Sequence, residues 1–416
     1  NVEGMAIRVR LLLALAALAV PSLAYDNGYG SKPIVGWATW STDDLAGLRD
    51  ICTEKEIKSV ADFIATSGMR DLGYEWLMLD DCWAHTSRNA TGHLMPDPHN
   101  FPTGMKSLVD YVHSLGLHIG LYTCIGTHTC RGGRPGSFGN YKTDAETFAY
   151  WGVDLVKCDN CHKPGGFSDQ ELYTNFSREL NATGHPMLFA ICNWGDESVQ
   201  EWGPQVAQMV RVMQDHLPFW HFPGLAAGKG NGQGVIDYIN YMAQFPASRY
   251  FGKRFYAWPD ADMLETLFPL FMQIADSRTE YSFWALWSSP LLVATDVRKM
   301  DDVRRSILMN PEVIAIDQDE LGIPGERRAV YDDGAQVWSK KLANGDVAVI
   351  LLNPNNFGAL TIPITWDQVG FARSAIIHVR DLWQRKDVGV YGEEGFEWVV
   401  GAHDVGMFRL SIAHSA

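Results

Sequence analysis

The chain has 416 residues, 46% of them apolar, and a formal net charge of −15 at pH 7. That length suits one large domain with a smaller one beside it. The acidic balance argues against nucleic acid or anionic membranes as partners, since both reward Lys/Arg patches. Aromatics make up 12% of the chain, with 15 Trp. Core packing accounts for most of them, and the remainder are candidates for stacking on sugar rings.

The N-terminus reads as an export leader. Arg8 and Arg10 precede the apolar run Leu11–Val20, and small residues Ser22 and Ala24 stand where a signal peptidase cuts. The leader is expected over residues 1–24, with Met5 as its start, and the mature chain from about Tyr25. Its apolar run is too short to span a bilayer, so no membrane insertion is expected. The secretory pathway, ending outside the cell or in a lysosome or vacuole, is the expected route. Sequons at Asn89, Asn175 and Asn181 fit a glycoprotein. Seven cysteines in an exported chain suggest disulfides plus at least one unpaired thiol, and spacing does not determine the pairing. Cys158 and Cys161 bracket Asp159 like a metal-ligand pair, but no second pair with partner histidines stands at zinc spacing. No metal is expected.

Short apolar runs then alternate with amphipathic stretches up to about Asp317. Strands are predicted at 34–37, 76–79, 118–122, 155–157, 187–191, 209–213, 255–257 and 291–294. Helical spacing followed by Gly predicts helices over 57–69, 105–116 and 144–152. Eight such units fit a (β/α)8 barrel. An open doubly wound sheet is the alternative, but no G-x-G-x-x-G follows the first strand. After LGIPGERR the helical period stops, and strand-length runs broken by Asn-Gly and Asn-Pro predict an antiparallel β-sandwich. The expected division is a barrel over 25–322 and a sandwich over 323–416.

Several barrel strands end in carboxylates: Asp80 and Asp81, Asp159, Asp215, and the pair Asp260 and Asp262. A parallel barrel presents catalytic groups at these strand ends, and carboxylates beside tryptophans point to a sugar-cleaving pocket. Asp159 lies two residues from Lys157, whose ammonium would favour the ionised state that a nucleophile needs. Asp215 follows Arg211 by four residues, and Val212, Met213, Leu217, Phe219 and Trp220 would give it the less polar setting of an acid. Asp80 and Asp81 would point in opposite directions, Asp260 and Asp262 in the same one. Taken singly, each is better explained as an ion pair, a helix cap, a calcium ligand or a solvated side chain. Their co-occurrence at strand ends changes that balance.

In order, GWATW, LMLDDCW, GLYTC…TCRGGRPGSFGNY, DLVKCDNC, ICNWGD, VRVMQD and WPDADML resemble glycoside hydrolase family 27, the α-galactosidase (melibiase) family. SPLLVATDVRKM and IAIDQDELG extend the match to about Gly322. The resemblance implies a retaining barrel glycosidase that acts on α-galactosides without a cofactor, with Asp159 as nucleophile and Asp215 as acid/base. It implies sugar contacts from Trp40, Asp80, Asp81, Tyr122, Cys130, Lys157, Cys192, Trp194, Arg211, Asp262 and Met263. It also implies disulfides Cys52–Cys82 and Cys130–Cys161.

Three departures bear on the aglycone side: Asn193 where relatives usually have Glu, Val210 where Trp is common, and a Gly-rich segment over 217–236. α-N-Acetylgalactosaminidase and β-L-arabinopyranosidase are the near alternatives within the family. A non-catalytic galactoside-binding protein is the remoter one, made improbable by both carboxylates being present. A metal-dependent hydrolase lacks a plausible histidine set, because His85, His93, His99, His113 and His118 are scattered.

Overall fold

Burial of both strand faces dictates the first architecture. The structure, a computed structural model, describes residues 27–40, 51–221, 232–268 and 271–413. The expected leader with its cleavage near Tyr25, and the centre of the 217–236 segment, lie outside these. Eight short strands follow one another: β1 Val35–Ala38, β2 Trp76–Leu79, β3 His118–Cys124, β4 Leu155–Asp159, β5 Leu188–Cys192, β6 Met209–Arg211, β7 Trp258–Asp260 and β8 Leu291–Val293. They pair in parallel in the order β7-β6-β5-β4-β3-β2-β1-β8. Leu264, just beyond β7, donates its N–H to Leu292 O (2.7 Å) and accepts from Ala294 N (2.9 Å). These two bonds close the sheet into a barrel.

The two-residue period sorts the side chains. Ala38, Trp76, Met78, Leu155, Leu188, Ala190, Met209 and Leu292 form one buried cluster inside the barrel. Their neighbours Trp37, Leu77, Val156, Phe189, Val210 and Val293 point outward and join the larger core beneath the helices. Gly36 pairs with Trp76 at the crowded inner surface. A Cβ there would stand 2.0 Å from Trp76 O, so only glycine fits.

The seventh strand is displaced from its expected place at 255–257. Lys253–Phe255 forms a 3₁₀ turn ended by Tyr256 in a left-handed conformation (φ 51°), and the strand starts only at Trp258. The three helices expected from the sequence cover Glu54–Thr66, Met105–Ser114 and Tyr141–Trp151: the first lies three residues earlier than its pattern, the second ends two earlier, and the third starts three and ends one earlier.

The C-terminal region is antiparallel, as expected. Its strands are β9 Glu326–Val330, β10 Gln336–Lys341, β11 Val347–Leu352, β12 Leu360–Ile364, β13 Ile377–Asp381, β14 Lys386–Tyr391, β15 Phe396–Val400 and β16 Val405–Ile412. Six form one sheet, β14-β13-β16-β11-β10-β9, and β12 pairs with β15 across from it. Val337, Val349, Leu351, Ile362, Phe396 and Phe408 fill the space between them. The alternate residues Trp338, Ala348, Ile350 and Met407 face the other way, into the barrel's own core. There Trp338 meets Phe283 edge-on at 5.2 Å, on the helix Ile274–Trp287. Lys340 crosses the same seam fully buried, donating to Ser288 Oγ and Ile316 O (2.6 Å each) and to Ala285 O (3.3 Å). Among the described residues no helix is long and apolar enough to cross a membrane.

Gly36→Ala is expected to destabilise the barrel by about 3 kcal/mol, the upper range for overpacking a tight core. A urea midpoint equal to that of the parent chain would contradict this account of the β1–β2 contact.

Candidate active site

The inward parity of the strands carries straight into the site. Two residues beyond the barrel-filling Ala38, Met78, Leu155, Ala190 and Met209 stand Trp40, Asp80, Lys157, Cys192 and Arg211, and Asp159 follows Lys157 by two more. Tyr122 pairs with Lys157 and shares its face. A plug of apolar side chains thus gives way, one layer up, to a polar floor. Above it opens a cavity of about 320 Å³. Its walls include Trp40, Asp80, Asp81, Tyr122, Cys130, Lys157, Asp159, Cys192, Trp194 and Asp215.

Arg211, Asp262 and Met263 take a different place, below the lining. Met263 belongs to the apolar plug. Arg211 and Asp262 form a buried ion pair beneath Asp215. The structure adds three lining residues: Arg131, Cys161 and Gln214. Each lies inside a motif quoted above, Cys161 as a disulfide partner, but none was singled out as a sugar contact. The Cys52–Cys82 and Cys130–Cys161 disulfides are formed, the second at the cavity wall. Cys124, Cys158 and Cys192 are buried free thiols. Cys130, Cys161 and Asp159 bring their ligand-type atoms within 4.8 Å of one another. The two sulfurs are bonded to each other and offer no thiolate, the form that binds metal, so this donor set does not suit an ion.

Lys157 is paired with Asp80 (2.6 Å) and acts on Asp159 only at longer range. Asp159 instead accepts from Tyr122 Oη and from the Asn160 N–H, both at 2.9 Å. Burial pushes its pKa up to about 7; Lys157 pulls it down, and Asp215 pushes it up again. Asp215 is also raised, first by burial, with Arg211 opposing and Asp262 reinforcing the rise. Its carboxylate is 41% exposed, into the cavity, and accepts from Arg211 Nη2 at 2.9 Å. The apolar residues expected around Asp215 are therefore not its immediate partners. Protein mass around the cavity raises its pKa, and the nearest side chains are charged. The two acids repel one another, so they titrate as a pair.

Asp80 and Asp81 do not diverge as strand alternation suggested. β2 ends at Leu79, and in the turn that follows the Asp81 N–H donates to Asp80 Oδ1 (2.8 Å), leaving both at the cavity. Asp260 closes β7 in register with Arg211, and just past it the chain turns left-handed at Asp262 (φ 72°), whose N–H donates to Asp260 Oδ1 (2.8 Å); neither lines the cavity. Asn193 is fully buried and does not line the cavity; its amide donates to Asp169 Oδ2 (3.1 Å) and Asp196 O (2.8 Å). Next to it Trp194 adopts φ 59° and reaches the wall.

The family model described as alpha galactosidase A matches residues 32–319, and that of the alpha galactosidase C-terminal beta sandwich domain matches 332–410. The chain belongs to the α-galactosidase family, glycoside hydrolase family 27. It is a glycoside hydrolase. It is 35% identical to an α-galactosidase of Oryza sativa over 93% of this chain and 87% of that protein. Its fold superposes on α-galactosidase I from Mortierella vinacea with a TM-score of 0.86, at 33% identity, covering 93% of this chain and 99% of the other. A Saccharomyces cerevisiae α-galactosidase structure with raffinose matches with a TM-score of 0.85, at 26% identity, over 94% and 100% of the two chains.

Tyr122→Phe removes one of the two hydrogen bonds that stabilise ionised Asp159. A bond to a charged group contributes about 1.5–3 kcal/mol, so the pKa of Asp159 rises and the acid limb of kcat/KM moves up by about one pH unit or more. Overlapping limbs in parent and variant would show that Tyr122 does not stabilise the carboxylate.

Proposed function

We propose that this glycoside hydrolase is a retaining exo-α-galactosidase. The observation that carries the reading is one cavity lined by two mutually repelling carboxyl groups, Asp159 and Asp215, that differ in their partners. Asp159 accepts two hydrogen bonds from neutral donors, sits 8% exposed at the barrel floor, and is placed to attack the anomeric carbon. Asp215 projects into the open part of the cavity and is placed to protonate the leaving oxygen. Attack forms a covalent galactosyl-enzyme; Asp215, now ionised, takes a proton from water as it releases galactose with retained configuration. This route requires carboxyl groups about 5–5.5 Å apart, against about 6.5–9.5 Å for inversion.

The other cavity groups support the same reading. The Lys157–Asp80 pair and Asp81 offer donors and acceptors for sugar hydroxyls, and the faces of Trp40 and Trp194 can cover a pyranose. α-Galactosides of the raffinose type are the proposed substrates. In this reading the leader is removed near Tyr25 on the secretory route. Residues 25–322 then form the catalytic barrel and 323–416 the sandwich.

Asp159→Asn should lower turnover at least about a thousandfold, the scale for loss of a nucleophile, while galactose binding persists. Asp215→Ala should slow raffinose far more than an activated aryl α-galactoside, and added azide should restore turnover by attacking the intermediate unaided. Steady-state rates decide both; a fully active, pure Asp159→Asn protein would sink the assignment. In the parent, kcat/KM should form a bell. Its acid limb marks protonation of Asp159 and its basic limb loss of the proton from Asp215. Because both acids are raised, the bell lies above the ordinary Asp value of about 3.9. A profile without a basic limb would contradict the acid role.

Cys192 and Trp194 close the cavity on the side where the family distinguishes the substituent at sugar C2. A 2-acetamido group would clash there, and repulsion excludes a wrong substrate more sharply than lost attraction does. Nitrophenyl α-galactoside should exceed its 2-acetamido analogue in kcat/KM by about 100-fold. Equal values would favour an α-N-acetylgalactosaminidase.

A further inference from the structure

Among the described residues the Asp215 carboxylate accepts one side-chain hydrogen bond, from Arg211. Its aim is therefore inherited largely from the backbone on either side of it, and that backbone is held at every step. Tyr238 Oη donates to Gln214 O. The Gln233 N–H donates to Asp215 O at 2.8 Å. The His216 N–H donates to Asp262 Oδ2 at 2.7 Å.

The His216 ring extends this bracing into the barrel's outer layer. It is buried between Trp284 and Tyr238, with ring centroids 5.0 and 5.5 Å away. Nδ1 lies 3.1 Å from Gln233 O, a carbonyl that can only accept, and Nε2 lies 2.9 Å from Glu280 Oε1. Glu280 is itself fully buried, accepting from the Glu265 N–H and from Thr266 Oγ1, both at 2.7 Å. A residue that only filled this space would need neither nitrogen. Both are used, one toward the strand of chain that also binds Asp215 O, the other toward the helix Ile274–Trp287.

We propose that His216, anchored by Glu280, is a positioning residue for the acid/base Asp215. Through its backbone N–H and its Nδ1 bond to Gln233, the imidazole holds the 214–216 turn so that the Asp215 carboxyl faces the leaving oxygen. Glu280 sets the ring's orientation from behind. Neither residue lines the cavity, so neither touches the sugar. The inference rests on the acid/base role assigned to Asp215 above.

A misaimed acid/base slows formation of the galactosyl-enzyme only for substrates whose leaving group needs a proton, and slows its hydrolysis for every substrate. The test uses the full chain with raffinose and with 2,4-dinitrophenyl α-galactoside, comparing the parent, His216→Asn and Glu280→Gln. His216→Asn retains a donor near Gln233 O and drops the link to Glu280. Glu280→Gln keeps the shape of the anchor but replaces one acceptor oxygen with an NH2 that cannot accept, loosening its hold on the ring with little change in packing, so a folding defect in the first variant does not decide the matter. The expected result is a loss of about tenfold to a hundredfold in kcat/KM for raffinose, with kcat/KM for the dinitrophenyl substrate nearly that of the parent. Azide should raise turnover of the dinitrophenyl substrate in the variants and not in the parent. Equal losses on both substrates would reduce His216 to a stabilising residue, and no loss on either would remove it from the mechanism; both overturn the proposal. A parent chain inactive on both galactosides would instead overturn the proposed activity, and this inference with it.

Discussion

Five carboxyl groups, Asp80, Asp81, Asp159, Asp215 and Asp262, crowd the cavity and the layer beneath it, and Lys157 and Arg211 are the cations bonded among them. Unpaired charge at this depth is costly, and the arrangement resolves the excess unevenly. Lys157 is committed to Asp80, and Arg211 is shared between Asp262 and Asp215. Asp159 is left with hydrogen bonds from neutral donors alone. Asp159 and Asp215 both end with raised pKa values, as does Asp81, each chiefly through burial. A site with matched pairs throughout would hold both acids ionised and would have no proton to give.

The barrel makes that imbalance sustainable. Strand parity sends apolar side chains inward for two layers and then, at the same parity, the charged ones. Asp80, Lys157, Asp159 and Arg211 need no backbone irregularity to reach a common centre, whereas Asp215 is carried by the turn beyond β6. Irregular backbone is found where the walls are built: Trp194 and Asp262 both adopt left-handed conformations beside the cavity. Strained dihedrals at such places are maintained by surrounding contacts, here the Asn193–Asp169 bond and the Arg211–Asp262 pair.

The eight strands, the sandwich and the lining from Trp40 to Asp215 were legible because each depends on local pattern: an apolar run, a period of two, a polar residue at its end. What the pattern could not carry was partnership. Lys157 is near Asp159 in sequence and yet bonds Asp80 on a neighbouring but one strand, since side chains at a barrel floor meet across the axis. Asp81 escaped the alternation rule because it lies past the end of β2, where the chain is already turning. Strand β7 was misplaced for a similar reason. Phe255–Ala257 has the composition of a strand, but a left-handed residue inside it breaks the ladder. His216 and Glu280 gave no signal at all, being 64 residues apart and unremarkable singly.

Lys340 has one more consequence. Its ammonium ends among the last carbonyls of two barrel helices, in the direction that a helix dipole favours for a cation, while its stem belongs to the second sheet. With Trp338 and Met407 beside it, one surface of the sandwich is interior to both units. Cutting the gene between them would leave the barrel with a raw aromatic face and helix ends short of a donor. The two segments are thus poor modules for exchange between relatives, and an engineered hybrid would have to carry the whole seam from a single parent.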